Sequence, residues 1–449
     1  MQETLVTGGT TATLAENELY NALLNKITLK EATVGMIGLG YVGLPNAVSK
    51  AKKGYKVIGF DVDVRKIEKI SEGISYIEDV PSEELSLAVS MEKLVATTNF
   101  EDLSLVDIAV ICVPTPIDEY KQPDLAFVKE ASFQIAKNLK KGSMVVLEST
   151  TYPGTTEDII VKDLEKHGFV AGEDVFVAYS PERIDPSNKT YNVDNTPRIV
   201  GGYTENCTKL ACDFYGGAIE PVSSPKVAEM AKVYENTFRY VNIALSNELA
   251  VLAEKMDIDV WEVINAAGTK PYGFMSFFPA VGVGGHCIPV DPYYLQWKAK
   301  QYDMSTRMIE LASDINLNMN DYVISRIAEI LNENQRSING SKIVILGASY
   351  KKNVGDVRES AIFRFYKKLN DLNAIISVQD PYVDMFKLGE EVVHVNGIDY
   401  AEIANADMVV LLTDHDIFDY EQIAEHASIL FDTKNIIKEE NKVVGLYKL

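Results

Sequence analysis

The sequence has few cysteines and histidines for its length, with four cysteines and five histidines among 449 residues. No two cysteines form a C-x-x-C pair and the histidines are scattered, so neither a disulfide framework nor a structural zinc site is expected. No uninterrupted apolar run reaches the roughly 18 residues of a membrane span, and the first residues lack the pattern of a secretory signal peptide. These absences predict a cytoplasmic protein that holds no metal and does not enter a membrane.

Positive charge is also scarce. The 43 lysines and arginines face 65 aspartates and glutamates, which gives a formal net charge of −22. Such a balance argues against nucleic acids and anionic membrane surfaces as partners. It also means that an anionic ligand must be held by particular cations and backbone amides, because the overall field repels it.

Short apolar runs alternate with helical patterns from Thr33 onward, which is typical of a parallel sheet wound by right-handed crossovers. A helical pattern from Lys226 to Met256 then runs too long for an ordinary crossover and indicates a domain connector or a dimer seam. The alternation resumes near residue 342. Strands are expected at 34–37, 56–60, 108–113, 144–147, 175–178, 342–346, 374–378, 408–412 and 429–431.

The expected fold class is therefore α/β, with two Rossmann-like, doubly wound parallel-sheet domains joined by a central helical domain that contains one long helix. Expected boundaries are an N-terminal extension over 1–32, a first Rossmann-like domain over 33–220, the helical domain over 221–330 and a second Rossmann-like domain over 331–449. The extension has a helical pattern over 14–27, which we expect to lie on the first domain.

A dinucleotide-binding pattern opens the first domain. Gly38, Gly40 and Gly43 form G-x-G-x-x-G after the first expected strand and before a helix, where they permit a tight turn, approach of a pyrophosphate and close helix packing. Asp61 ends the second expected strand, so its carboxylate can bind ribose hydroxyls and would repel a 2′-phosphate. NAD is expected rather than NADP, although Arg65 leaves open either an NADP contact or a place near the pyrophosphate.

A second unusual stretch is Pro-Ala-Val-Gly-Val-Gly-Gly-His-Cys-Ile-Pro-Val-Asp-Pro over 279–292. Its three glycines leave little side-chain bulk, so a ligand can approach the backbone there. Cys287 lies two residues after the last of these glycines, and Asp291 lies four residues later. A lone cysteine is most often a small core hydrophobe. On the residues alone, a nucleophilic role and a packing role for Cys287 both stay open.

Five motifs occur in order between about Thr33 and the C-terminus. They are the glycine motif with Tyr41-Val42, Val113-Pro114-Thr115-Pro116, Ser180-Pro181-Glu182-Arg183, Gly284-Gly285-His286-Cys287, and Lys351-Lys352 with Arg358-Glu359-Ser360. Together they resemble the UDP-glucose/GDP-mannose dehydrogenase family. The first 30 residues lie outside the resemblance.

The resemblance implies an NAD-dependent enzyme that oxidises the C6 alcohol of a UDP-sugar by four electrons without releasing the aldehyde. Cys287 would capture the aldehyde as a thiohemiacetal, which is oxidised to a thioester and then hydrolysed. Lys232 would stabilise the oxyanion, with Asn236 as its partner one helical turn later. The resemblance further implies that Asp291 assists proton transfers, Glu182 assists thioester hydrolysis and Thr115 positions a water.

Binding residues follow from the same resemblance. Besides the glycine motif, Asp61 and Arg65, the implied cofactor contacts are Tyr41, Val42, Thr115, Ser149, Thr150 and Arg358. The implied substrate contacts are Glu182, Arg183, Lys232, Asn236, Arg239, Gly284, Gly285 and Lys351, with Lys351 on the diphosphate. The second Rossmann-like domain would bind the UDP-sugar, and the long helix would form a homodimer. As an alternative, Lys351 and Arg358 are solvated loop charges.

The sugar is less strongly indicated. The stretches 147–156 and 235–244 resemble the branch that acts on UDP-N-acetylhexosamines, and Arg239 stands where the UDP-glucose branch commonly has an apolar residue. Thr151-Tyr152-Pro153-Gly154 resembles UDP-N-acetylglucosamine 6-dehydrogenases of bacterial polysaccharide pathways. UDP-N-acetylglucosamine is the expected substrate, with UDP-N-acetylmannosamine and UDP-glucose as alternatives. Two other classes stay open, an NAD-binding regulatory protein without turnover and an ordinary two-electron dehydrogenase or epimerase-like enzyme.

Overall fold

The computed structural model describes residues 18–77, 79–183, 190–191, 195–437 and 445–449. The chain divides into two compact units, and each is described by itself. The first unit contains the described residues up to Pro116 together with Asp124–Lys232. The second contains Ile117–Pro123 and the described residues from Val233 onward.

The first unit is built on one sheet whose strands follow the order β3-β2-β1-β4-β5-β6-β7-β8. Neighbouring strands run parallel except β6 and β7, which pair antiparallel. The central strands are buried on both faces, as parallel strands covered by helices must be. The strands are β1 (Thr33–Ile37), β2 (Lys56–Phe60), β3 (Leu94–Thr97), β4 (Ile108–Ile111), β5 (Met144–Leu147), β6 (Phe176–Tyr179), β7 (Arg198–Gly202) and β8 (Ile219–Val222).

Helices cover the faces of this sheet. The first of them, α1, buries Leu23 and Ile27 in the same apolar core as β1 and contacts α7, so the expectation of a helix lying on the first domain agrees with its described part. The helices are α1 (Glu18–Thr28), α2 (Gly43–Lys52), α3 (Val64–Ser71), α4 (Ser82–Ser90), α5 (Ala126–Asn138), α6 (Lys162–Lys166) and α7 (Glu205–Tyr215), with a 3-10 turn at Phe100–Leu105 and a π-helical turn at Thr156–Val161.

A 31-residue helix, α8 (Pro225–Lys255), begins in the first unit and continues into the second. The second unit adds α9 (Val260–Gly268), α10 (Asp291–Ala299), a 3-10 turn at Lys300–Tyr302 and α11 (Arg307–Glu333) before its sheet begins. None of the helices in the described ranges has the length and hydrophobicity that a bilayer crossing demands.

The second unit contains a parallel sheet in the order β10-β9-β13-β14-β15 and a separate antiparallel hairpin of β11 and β12. Its strands and remaining helices are β9 (Lys342–Leu346), α12 (Ile362–Asp371), β10 (Ile375–Gln379), β11 (Met385–Leu388), β12 (Glu391–His394), α13 (Tyr400–Ala404), β13 (Met408–Leu411), α14 (Tyr420–His426), β14 (Leu430–Asp432) and β15 (Leu446–Lys448). The predicted fold class, two parallel-sheet regions with helices between them, is confirmed.

Candidate active site

The glycine motif forms the turn between β1 and α2. Gly38 has a φ of +91°, and a Cβ there would lie 2.9 Å from the carbonyl oxygen of Cys112. A Cβ on Gly43 would lie 1.8 Å from the carbonyl oxygen of Gly38. A Cβ on Gly40, by contrast, would meet no atom within 4 Å. Gly38 and Gly43 are therefore required by the turn itself, whereas Gly40 leaves open space beside the helix start, as a pyrophosphate site needs.

Asp61 follows β2 and is drawn toward this turn. Its carboxylate accepts hydrogen bonds from the Leu39 amide at 2.9 Å and from Lys66 Nζ at 2.8 Å. Arg65 instead pairs with Asp63, from Nε at 2.9 Å and from a terminal nitrogen at 2.8 Å. The cation beside Asp61 is thus Lys66, which the sequence analysis did not single out. A carboxylate in this place suits the ribose hydroxyls of NAD.

The segments that follow β4 and β5 carry three further predicted residues. Thr115 is buried. Ser149 donates its hydroxyl to the carbonyl of Val113 at 2.7 Å, which ties the end of β5 to the chain that follows β4. Thr150, the next residue, is half-buried. These residues lie at the edge where open parallel sheets bind their ligands.

Glu182, beyond β6, is held by several donors. Its Oε2 accepts a hydrogen bond from Arg198 at 2.9 Å and one from Asn46 Nδ2 at 3.3 Å. Its Oε1 accepts from the backbone amide of Arg183 at 2.7 Å. The Arg183 guanidinium donates to the carbonyl of Pro197 at 2.7 Å. Neither Arg198 nor Asn46 was predicted.

The stretch with Cys287 belongs to the second unit and is shaped by a turn. The carbonyl of Cys287 accepts from the amides of Val290 at 3.1 Å and Asp291 at 2.8 Å, so the cysteine lies one turn before α10 begins. Its side chain is half-buried, and its Sγ is 3.9 Å from Nδ1 of His286. Desolvation lowers the pKa of His286, and the charge of Arg358 lowers it further.

The glycines before Cys287 pack against the loop that follows β9. A Cβ on Gly284 would lie 2.7 Å from Tyr350 Cβ, and one on Gly285 would lie 2.8 Å from the Tyr350 ring. Gly285 has a φ of +94° and donates its amide to the carbonyl of Arg358 at 3.1 Å. Tyr350 therefore occupies space that the sequence analysis left for a ligand, and the substrate contacts of the two glycines stay predictions.

Asn236 and Asp291 meet directly. The Asn236 amide Nδ2 donates to Asp291 Oδ2, and Asp291 is almost fully buried. Lys232 lies one turn before Asn236 on α8, and Arg239 lies one turn after it, so the three side chains share one side of the helix. Lys232 is buried, whereas Arg239 is exposed.

The turn that carries Lys351 is held in place by a hydrogen bond to a buried histidine, His415. The His415 ring has no exposed surface. Its Nδ1 accepts from the Asn353 amide at 2.9 Å, which leaves Nε2 to donate to Asp380 at 3.0 Å. Burial alone would raise the pKa of Asp380, but the hydrogen bond from His415, together with those from the Tyr382 and Ala348 amides, brings it below its usual value. Arg358, beyond this turn, is paired with Asp356 at 2.6 Å.

Comparison with known proteins identifies the family of this chain. The chain matches all three models of the UDP-glucose/GDP-mannose dehydrogenase family, the NAD binding domain over residues 32–219, the central domain over 226–318 and the UDP binding domain over 344–439. The chain belongs to this family. The predictions of an NAD-dependent UDP-sugar dehydrogenase and of NAD as its cofactor are confirmed.

Several members of the family are similar along nearly their whole length. The UDP-N-acetyl-D-glucosamine 6-dehydrogenase of Pseudomonas aeruginosa is 37% identical, over 93% of this chain and 100% of its own. The UDP-N-acetyl-D-mannosamine dehydrogenase of Pyrococcus horikoshii is 34% identical, over 90% of this chain and 96% of its own. A solved structure of UDP-D-ManNAc dehydrogenase from Pyrococcus horikoshii has a TM-score of 0.84 at 33% identity, covering 93% of this chain and 98% of that one.

Family motifs gave this dehydrogenase's candidate residues, but their supporting partners had to come from the structure. Asn46, Glu148, Arg198, His415 and Asp380 are polar, buried and distant in sequence from the groups they hold. One signal was available for Glu148 and Asp380, because each follows a strand just as Asp61 does. The others carry no pattern of their own.

The two glycines of the turn allow a matched test of the cofactor site. We predict that Gly43→Ala lowers the free energy of unfolding by about 1–3 kcal/mol, because the methyl group must displace the Gly38 carbonyl. Gly40→Ala should change the free energy of unfolding by no more than about 0.5 kcal/mol from the wild-type value. It should weaken NAD binding by roughly 10-fold or more, because its methyl group fills the space left for the pyrophosphate. Chemical denaturation and NAD titration calorimetry measure both. Unchanged NAD affinity in Gly40→Ala would show that the pyrophosphate does not approach this residue.

Proposed function

We propose that this dehydrogenase oxidises the C6 hydroxymethyl group of a UDP-N-acetylhexosamine, with UDP-N-acetylglucosamine as the preferred substrate, to the uronic acid. The sulfur of Cys287 is the covalent nucleophile of this reaction. The supporting observation is the placement of Cys287 one turn before Asp291, whose buried carboxylate accepts a hydrogen bond from Asn236. A half-buried sulfur beside an oriented carboxylate has both a nucleophile and a group to manage protons.

Two NAD molecules, bound one after the other, would each accept one of the two hydrides that this oxidation releases. The chain's own residues hold each NAD: the glycine turn and the start of α2 take the pyrophosphate, and Asp61 takes the ribose hydroxyls. The open space beside Gly40 and the direction of the Asp61 carboxylate fit these tasks.

Each remaining residue has a task in the proposed reaction. Cys287 bonds to the aldehyde carbon as a thiohemiacetal and stays bonded to it as a thioester, so a reactive aldehyde does not leave the enzyme. Lys232 and Asn236 stabilise the oxyanion by donating hydrogen bonds to it. Asp291 takes up and returns the protons of these steps, and Glu182 takes a proton from the water that hydrolyses the thioester.

Substrate binding is proposed for the second unit's C-terminal sheet. Lys351 would bind the diphosphate from the turn that His415 and Asp380 hold in place. Arg239 would select the 2-acetamido group, because it is exposed on the same side of α8 as Asn236 and its guanidinium can donate to a carbonyl. UDP-N-acetylmannosamine stays the second candidate because it differs at a single stereocentre, and UDP-glucose is the third.

The covalent mechanism predicts two NADH per UDP-sugar and an absolute need for the sulfur. We expect Cys287→Ala to lower the rate of acid formation by about 10³-fold or more, because no thioester can form. Cys212→Ala is the matched control, since Cys212 is also half-buried but lies on α7. NADH absorbance and mass spectrometry of the product measure the outcome. Full four-electron turnover by Cys287→Ala would refute the mechanism, and NAD binding without turnover of any UDP-hexose would favour a regulatory protein.

The proposed role of Arg239 predicts a change in sugar preference. Arg239→Leu should reduce kcat/KM for UDP-N-acetylglucosamine by roughly 10- to 100-fold, the loss expected for a hydrogen bond to a charged group. It should affect UDP-glucose less, because that sugar has no acetamido carbonyl. Arg307→Leu, at an exposed arginine that begins α11, is the control. Equal losses on both sugars would remove the proposed role.

A homodimer through α8 is also proposed. An apolar stripe extends about 27 Å along the second-unit part of this helix, from Tyr234 to Leu252 at 1.5 Å per residue, and Met256 follows just after the helix ends at Lys255. An exposed stripe of this length marks an interface, and a second copy offers the same stripe by two-fold symmetry. The residues of the stripe, each between 43% and 62% exposed, are Tyr234, Phe238, Leu245, Leu249, Leu252 and Met256.

The dimer is tested by placing a charge in the stripe. Leu249→Glu should convert the protein to a monomer at micromolar concentration, because the carboxylate would be buried without a partner. Leu87→Glu, at an exposed leucine of α4, should leave the mass unchanged. Sedimentation velocity measures both. A Leu249→Glu protein with the same mass as the wild type would place the dimer seam elsewhere.

A further inference from the structure

A group of buried polar side chains lies at the carboxyl edge of β4, β5 and β6. Arg198, the first residue of β7, donates to Glu148 Oε1 at 3.2 Å and to Glu182 Oε2 at 2.9 Å. The side chains of Arg198, Glu148 and Glu182 are only 10%, 2% and 13% exposed. One guanidinium therefore serves two carboxylates away from water.

Three further groups fix the inner carboxylate, Glu148. Tyr215 donates its hydroxyl to Oε1 at 2.6 Å, Asn46 donates its amide to Oε2 at 2.8 Å, and the Cys112 thiol lies 3.2 Å from Oε2. The Arg198 guanidinium also lies 4.6 Å above the Tyr215 ring. Glu148 is thus saturated with donors and acts as the anchor of the group.

Glu182 is the outer member. Its own donors are Arg198, Asn46 and the Arg183 amide, and it exposes more of its side chain than Glu148 does. Arg198 further donates to Asn46 Oδ1 at 3.1 Å, so the amide that bonds Glu182 is itself oriented by the arginine. Removing Arg198 would therefore release Glu182 from two constraints at once.

The Arg198 guanidinium keeps its positive charge although it is buried. Burial opposes it, but Glu148 and then Glu182 raise the pKa of the guanidinium above its usual value. Lys50 does not replace this cation, because burial and the charge of Arg198 lower its pKa well below the usual value, and its Nζ donates to the carbonyl of Phe214 at 2.7 Å.

We infer that Arg198 is a positioning residue for hydrolysis, which holds the Glu182 carboxylate in one orientation. The inference rests on the proposed function. In that step the Glu182 carboxylate takes a proton from water while the water oxygen bonds to the acyl carbon. The carbon–sulfur bond breaks and its electron pair stays on Cys287, the product acid releases the remaining proton of the water to solvent, and Glu182 passes on the proton that it took up. No electron acceptor is needed.

This role has a signature that a purely structural role lacks. If Arg198 positions Glu182, its loss slows hydrolysis selectively, and the acyl group builds up on Cys287. If Arg198 only stabilises the fold, its loss lowers every step together and no acyl group builds up.

The experiment mixes purified full-length protein with NAD and UDP-N-acetylglucosamine, follows NADH by stopped flow and measures the mass of the quenched protein. Arg198→Met and Glu182→Gln should both give a burst of NADH, a steady-state rate lower by roughly 10²-fold and a UDP-sugar acyl adduct on Cys287. Arg198→Lys keeps a cation near Glu182, so it should restore part of the rate and reduce the adduct. Tyr215→Phe removes a bond to Glu148 alone and should accumulate no adduct.

Several results would overturn the inference. They are an unchanged steady-state rate in Arg198→Met, an equal fall of burst and steady state without an adduct, or an adduct in Tyr215→Phe as large as in Arg198→Met. If Arg198→Met does not fold, the comparison is made between Arg198→Lys and Glu182→Gln. A wild-type rate of hydrolysis in Arg198→Lys, together with a blocked hydrolysis in Glu182→Gln, would support the role of the cation. Absence of an adduct on Cys287 in Glu182→Gln would show that hydrolysis does not depend on Glu182 and would overturn the inference, whereas the covalent function itself is tested separately by Cys287→Ala.

Discussion

A carboxylate that is buried at the end of a strand needs hydrogen-bond donors to replace the water that it has lost. Both sheets of this protein contain such a carboxylate. In the first unit, Asp61 accepts the amide of Leu39 from the turn after β1. In the second, Asp380 accepts the amide of Ala348 from the turn after β9, at 2.7 Å. Each carboxylate thereby fixes the turn that follows the first strand of its sheet, β1 in the first unit and β9 in the second. The second acid is additionally covered by His415.

Three cations near the candidate site form ion pairs with carboxylates of the protein itself. Lys66 is paired with Asp61, Arg358 with Asp356 and Arg198 with two glutamates. In a chain with a net charge of −22, such pairing keeps individual cations in fixed places although the overall field is negative.

The strands with long, continuous apolar runs could be predicted from the sequence, and those with mixed surroundings could not. The predicted bounds of the strands Lys56–Phe60, Met144–Leu147 and Lys342–Leu346 agree with the structure. The strands Leu94–Thr97 and Ile219–Val222 were missed because they lie at the edges of the sheet, where exposed positions interrupt the apolar pattern. The strand β7 was missed as well, although it is buried, because it is short and ends in two glycines. Its antiparallel pairing with β6 could not be predicted either, since pairing direction depends on the path of the chain rather than on composition.

The same division holds for the candidate site. Cys287, Asp291 and the glycine turn stand in short motifs that the sequence displays. The partners of Glu182 come from α2 and from β7, so only folding brings them together. Spacing along the chain carries no sign of such contacts. The packing of Tyr350 against Gly284 and Gly285 was equally hidden, because glycine permits both a ligand and a neighbouring ring.

One consequence follows from the position of Asn46 within α2. The same ten-residue helix begins at the turn proposed to hold the dinucleotide and carries, one turn later, the amide bonded to both Glu148 and Glu182. The turn proposed for the dinucleotide and the amide that orients the two carboxylates therefore belong to one helix, so the two proposed tasks share a single structural element.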